Sequence, residues 1–330
     1  MAGKGRHERM TARRCSALAA LACLLICALA CPPRAARAAS TPSSSAGADG
    51  RFTVLATTFP VWLFTRNVCR DVPGVRVELF VPAQTGCPHE FAPSPADLRK
   101  LAGADALVVN GLGLEAFLAR PVRALDREHM VIDASRGATP LPAPVGAAGD
   151  DGHGAPGVNP HIFAAPAQAA RMARAIGEGL ARRDPAHAPA YRANASAYAE
   201  RLETLAADLA AIGKNAPRTG IVLQHDDLAY LAHDAGLKTL AVLRTGDEAG
   251  TLSAARLNSL ARRLATERPV LIAGEPPAPG HGVELLARES GIPWALLDPV
   301  ASGPENAPLD YYERAMRANA QTLRRYFDVP

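Results

Sequence analysis

Residues 189–215 read PAYRANASAYAERLETLAADLAAIGKN. Tyr191, Ala195, Tyr198, Leu202, Leu205 and Leu209 recur at intervals of three and four, so one face is apolar and the stretch predicts a helix. At 1.5 Å per residue such a helix runs about 40 Å. That is too long for one small lobe and suits a rigid spacer between two. The helical, Ala-rich character begins at residue 166.

On both sides of this helix short apolar runs alternate with helical ones. The first half offers FTVLATT (52–58), VRVELFVP from Val75, ALVVNG from Ala106 and HMVIDAS from His129. Helices are expected over Phe59 to Arg70 and from Pro95, where Ser94 is a good N-cap and Asp97 falls in the first turn. After Pro217 the pattern restarts with TGIVLQ (219–224), KTLAVL (238–243), PVLIAG (269–274) and IPWALLDP (292–299). Helices are expected over DLAYLAHDAG, over 251–266 and after Gly282. Strands that alternate with helices pair in parallel. The expected fold is therefore α/β, with two parallel-sheet lobes joined by one long rigid helix. Its divisions are a signal at 1–39, a flexible linker at 40–50, a first lobe at 51–187, the linking helix at 188–217 and a second lobe at 218–330. One stiff connection predicts limited hinge motion. Residues 137–160, rich in Gly, Ala and Pro, read as a mobile loop carrying His153.

The whole chain of 330 residues has a formal charge of +4. Residues 1–39 hold seven Lys/Arg against Glu8, so removing that +6 leaves a body of net −2. A nucleic-acid partner has no electrostatic support. Arg13 and Arg14 precede the apolar run SALAALACLLICALA (16–30), which is short for a membrane span and right for an export signal. Met10 gives such a signal a more usual start. Two exits follow: cleavage after Ala36-Arg37-Ala38, or lipid attachment at Cys31. The body is expected in the periplasm or otherwise outside the cytoplasm, water-soluble and monomeric, meeting the membrane through Cys31 or a membrane partner. Once processed, the chain keeps Cys69 and Cys87. They fall at opposite ends of a parallel lobe, farther apart than the roughly 7 Å a disulfide tolerates.

In parallel α/β sheets ligands bind beyond the carboxyl ends of the strands. His89, in TGCPHEFAPSP (85–95), follows the second strand, and Pro88, Pro93 and Pro95 stiffen its loop. His161 precedes the helix from Pro166. His225 directly follows the fifth strand, and Asp298 ends the last one. Each alone reads as a cap, turn or surface residue. Together, two from each half, they converge across a cleft as three imidazoles and a carboxylate, a closed four-coordinate set for Zn²⁺. His281 and Glu275 stand in reserve. His129 reads as structural and His233 as exposed. Cys87 is a thiolate that could bind zinc or a small side chain packed under the loop, and packing is preferred. A Cys87/His89 catalytic dyad is disfavoured because residues i and i+2 of an extended segment point apart.

The stretch TGCPHEFAPSPADLRKLAGADALVVNGLGLEAFL (85–118) resembles the solute-binding proteins of zinc and manganese ABC transporters, the cluster A-I type. The resemblance continues through NPHIFAAP (159–166), YRANASAY (191–198), QHDDLAYLAHDAGL (224–237) and LLDPVASGPENAPLDYYERAMRANAQTL (296–323), nearly all of residues 52–327. It implies the same ligand positions, His89, His161, His225 and Asp298. It also implies a binding protein rather than an enzyme, one that captures Zn²⁺ and passes it to an ABC-transporter permease for import. Mn²⁺ is the alternative cargo, and adhesion an alternative use of the scaffold. A zinc hydrolase is disfavoured, because four protein ligands leave no open metal position. Cys87, Asn159, Phe163 and Ala165 stand where that family commonly has Asp, Asp, Trp and Asp. These departures surround the ligands and bear on affinity.

Overall fold

Four short apolar strands in each half cannot cover their own faces, so each sheet must be sandwiched by helices. The computed structural model describes residues 50–86, 88, 91–143, 157–244 and 254–328. The signal and lipid-site readings, most of the 40–50 linker, and the roles given to Cys87, His89 and His153 lie outside these residues.

The first sheet contains β1 (Phe52–Ala56), β2 (Val75–Leu79), β3 (Ala106–Val109) and β4 (Val131–Asp133), in the order β2-β1-β3-β4 and all parallel. Its helices are α1 (Phe59–Val68), α2 (Pro95–Gly103) and the short α3 (Ala119–Ala124). Ser94 and Asp97 form a reciprocal capping box on α2, satisfying backbone donors that the first turn leaves open. Then come α4 (Pro166–Arg183) and the long α5 (Ala188–Asn215). The second sheet repeats the plan with β5 (Gly220–His225), β6 (Lys238–Arg244), β7 (Leu271–Gly274) and β8 (Trp294–Leu296), in the order β6-β5-β7-β8. Its helices are α6 (Ala229–Asp234), α7 (Ala254–Glu267), α8 (His281–Ser290) and α9 (Tyr311–Phe327). No helix among the described residues is long and apolar enough to cross a membrane.

The periodic face of α5, from Tyr191 through Tyr198, Leu202 and Leu209 to Ile212, is buried. Gly177 of α4 lets the two helices close, since a Cβ there would stand 2.5 Å from Ala195 Cβ. At the far end of α5, Gly213 rests on the backbone of Ala235 and Gly236 in the second lobe, and its N–H donates to Ala235 O at 2.9 Å.

Two short elements follow motifs that carry no strong periodic signal: the turn Ala116–Leu118 and α3. α9 is the larger addition to the expected pattern. It returns from the last strand to pack on α5 and α1. There Phe64 meets Tyr312 edge-on with centroids 5.0 Å apart, Tyr312 OH donates to Phe163 O, and Asn67 Nδ2 donates to Leu309 O. One buried cluster runs from Val54 and Phe64 of the first lobe to Leu223 and Met316 of the second. The lobes thus share a core as well as a linking helix.

Several edges differ from expectation. His129 lies in a 3-10 turn before β4 and is exposed. β2 stops at Leu79 and β8 covers only Trp294–Leu296 because the chain leaves the sheet to build the cleft. Cys69 caps α1 as a buried free thiol, pushed up to about 12 by burial and by Asp184.

Candidate metal centre

In the second sheet, β5 and β7 are neighbours and the strand order reverses between them, which opens a crevice at their carboxyl ends. β5 ends in His225, and Glu275 follows β7 directly. Gln224 ties the two ends: its Oε1 accepts from Glu275 N at 3.2 Å and Gly280 N at 3.1 Å. His225 Nδ1 faces Asp226 Oδ1 at 3.3 Å and Asp227 Oδ1 at 3.4 Å. Burial alone would raise Asp227, but contact with His225, then Glu275, and the nearby His161 hold it down at about 2.

Asp298 leaves β8 into the same crevice. Asn319 of α9 fixes its backbone on both sides, its Oδ1 accepting from Asp298 N at 2.9 Å and its Nδ2 donating to Asp298 O at 2.8 Å. Asp298 Oδ1 accepts from Val300 N at 2.8 Å, and Val300, buried, sits at φ +63°, a costly conformation for a β-branched residue. Burial raises the Asp298 carboxyl and the Asp227 charge adds to this, against the bond from Val300.

His161 comes from the first lobe, on the turn before α4, and is 2% exposed. Asn159 dictates its tautomer. Asn159 Nδ2 donates to Asp226 O at 2.7 Å, which fixes the amide orientation. Its Oδ1 therefore accepts from His161 N at 2.9 Å and from Nδ1–H at 2.9 Å. The ring proton sits on Nδ1, and Nε2 carries the lone pair that a metal requires. The rings of His161 and His225 lie 5.9 Å apart at 67°.

The first sheet has the same switch point, between β1 and β3, but fills it with its own carboxylate. Glu115 Oε1 accepts from Thr57 Oγ1 and Asn110 N, both at 2.6 Å, and Oε2 accepts from Gly111 N at 3.2 Å. Asn110 Nδ2 then donates to Pro160 O at 2.9 Å, next to His161. Burial pushes Glu115 up to about 7 against these three bonds.

The crevice encloses about 390 Å³, and Gln224, His225, Asp227, Glu275, Asp298 and Tyr311 are among its walls. No Lys or Arg is among its described lining residues. Of the expected ligands, His161 and His225 are neighbours and Asp298 shares the crevice with His225, whereas His89 lies outside the described residues. Glu275, held in reserve, lines the crevice. His281 opens α8, exposed and away from the lining, and His233 is exposed and paired with Asp234. Asp227 was not anticipated, although the doublet after His225 in QHDD carried the signal.

A profile of the family described as "ZnuA: Zinc-uptake complex component A periplasmic" matches residues 54–326. The zinc-binding lipoprotein AdcA of Streptococcus pneumoniae is 29% identical over 293 residues, covering 87% of this chain and 58% of the relative. This chain thus spans little more than half the length of that relative. The high-affinity zinc uptake system protein ZnuA of Bacillus subtilis is 24% identical over 235 residues, covering 68% of this chain and 71% of the relative. Among solved structures, the solute-binding protein FpvC of Pseudomonas aeruginosa in complex with Mn²⁺ superposes with a TM-score of 0.72 at 28% identity, covering 84% of this chain and 98% of that one. Two parallel lobes on a long helix, a histidine from each half meeting its counterpart and a match along nearly the whole described body lead to one assignment: this chain belongs to the ZnuA family of solute-binding proteins.

Proposed function

We propose that this chain is an extracytoplasmic binding protein that captures a divalent metal, Zn²⁺ before Mn²⁺, and delivers it to an ABC-transporter permease. The observation that carries this reading is the contact of His161, from the first lobe, with His225, which itself lines a crevice walled by carboxylates. Asp298 adds an oxygen donor and His89 is the fourth proposed ligand. Imidazole nitrogens, such as the His161 Nε2 left free by the Asn159 anchor on Nδ1, suit Zn²⁺, while Mn²⁺ prefers oxygen. An anionic crevice without lysine or arginine among its described walls attracts a cation and gains from neutralisation. The shared core supports tight binding with little closure, since preorganised ligands lose less entropy. The role is binding and hand-over, with no catalytic step, and the basic, apolar start of the chain supports export. The names of the relatives support zinc as the cargo.

The test is metal analysis of the purified mature chain, followed by competitive titration of Zn²⁺ against Mn²⁺. One Zn²⁺ per chain is expected, held more tightly than Mn²⁺ and weakened in His161→Ala and His225→Ala while their apo folds persist. A mature chain that takes up neither ion sinks the proposal.

A further inference from the structure

His225 belongs to a second group of donors besides its pairing with His161. One ligating atom from each of His225, Asp227 and Glu275 lies within 4.8 Å of the others. The backbone holds each in place separately. His225 ends β5, Asp227 sits in the turn Asp226–Leu228, and Glu275 is tied to Gln224 through its N–H. The Asp227 side chain is 5% exposed, and its Oδ1 receives no aligned hydrogen bond, His225 Nδ1 being 3.4 Å away. A buried carboxylate oxygen in that state is costly without a counter-charge. Asp298 brings a third carboxylate to the same crevice, and no Lys or Arg is among the described walls. A cation bound among these donors would supply a counter-charge to the buried Asp227 carboxylate.

We propose that His225, Asp227 and Glu275 form a second coordination station beside the two-histidine site, suited to an oxygen-preferring divalent cation such as Mn²⁺. This deepens the functional reading and rests on it. His225 is common to both stations, so they are alternatives and the chain holds one ion at a time. Zn²⁺ seats toward His161, where nitrogen donors predominate. Mn²⁺ takes the carboxylate side, where two oxygens from the protein leave positions for water in a six-coordinate shell. The balance between the two stations then sets the metal preference of the protein.

The experiment measures Zn²⁺ and Mn²⁺ affinities of the mature full-length chain by competition with fluorescent chelators, with Mn²⁺ also followed by electron paramagnetic resonance. Wild type, His161→Ala, Glu275→Gln and Asp227→Asn are compared, and apo melting temperatures establish that each variant is folded. Glu275→Gln is expected to shift the Zn²⁺:Mn²⁺ preference toward Zn²⁺ by about tenfold or more, and His161→Ala toward Mn²⁺ by a similar factor. If Glu275→Gln does not fold, Asp227→Asn is expected to shift the preference in the same direction. A preference that moves less than about twofold in the folded carboxylate variant overturns the second station, as does a stoichiometry of two ions per chain. A wild type that binds Zn²⁺ but no Mn²⁺ overturns it while leaving the functional reading intact. A wild type that binds neither ion overturns both.

Discussion

Asn159 Oδ1 accepts two hydrogen bonds from His161, one from the backbone N–H and one from Nδ1–H, each at 2.9 Å. A neutral side chain thereby chooses which imidazole nitrogen faces a metal. Asn159→Ala should weaken Zn²⁺ binding by roughly 10–100-fold. It should also lower apo stability by about 1–3 kcal/mol, since Asp226 O loses its donor from Asn159. Asn159→Asp keeps the acceptor and should bind closer to wild type than the alanine variant does. Isothermal titration of the two variants checks the order, and equal losses would count against the tautomer argument.

Asn319 acts on Asp298 through the backbone. It is 3% exposed and bridges Asp298 N and O from α9. Asn319→Leu leaves both groups without partners, at a cost of about 1–3 kcal/mol in thermal or urea unfolding. It should weaken metal binding as well, because Asp298 is freed to turn. Full retention of affinity in a destabilised variant would show that the bridge serves stability alone.

Glu115 predicts an unusual pH dependence of the apo protein. Burial raises it from 4.5 to about 7, so the folded state holds a proton that the unfolded chain releases. Its stabilising contribution is complete below about pH 4.5 and is lost as pH rises through about 7. The stability difference between wild type and Glu115→Gln should therefore fall by roughly 3 kcal/mol from about pH 4 to about pH 8. Metal binding runs the other way, because its histidines must be neutral. Urea midpoints of both apo proteins across that range would falsify the argument if the difference stays flat.

Gly303 marks where the lobes touch at the mouth of the crevice. Its N–H donates to Ala83 O at 3.0 Å, and an added Cβ would come within 2.3 Å of Phe59 Cζ. Gly303→Ala must displace Phe59, which is buried and packed edge-on against Tyr311. A loss of about 1–3 kcal/mol is expected, as for other overpacked sites. Metal affinity should drop with it, because Tyr311 and Asp298 line the same crevice. An unchanged melting temperature would mean that the contact yields freely.

Much of the architecture is local and so was legible in the sequence. The spacing of Tyr191, Tyr198, Leu202 and Leu209 names the buried face of α5, and Ser94 with Asp97 marks the start of α2. The positions of His161, His225 and Asp298 near the ends of strands and turns were also readable, since a strand's carboxyl end needs only the apolar run before it. Their convergence was an expectation from topology; the structure places His161 beside His225, and His225 and Asp298 on the walls of one crevice.

The remainder depends on distance in space. Nothing in YYERAMRANAQTL says that its helix returns to α1 and α5, because an amphipathic face does not name its partner. Glu115 shows no signal of its own in the sequence. Only the meeting of β1 and β3 surrounds it with Thr57, Asn110 and Gly111 and raises its proton affinity. Likewise Asn159 becomes the anchor of His161 only once Asp226, from the other lobe, fixes its amide. The sequence by itself determined which side chains carry donor atoms and which segments repeat along the chain, because periodicity and side-chain chemistry are local. Tertiary structure decided which nitrogen of His161 is tied to Asn159 and which carboxylates stand beside His225, because hydrogen bonds and charge interactions act across space between residues far apart in the chain.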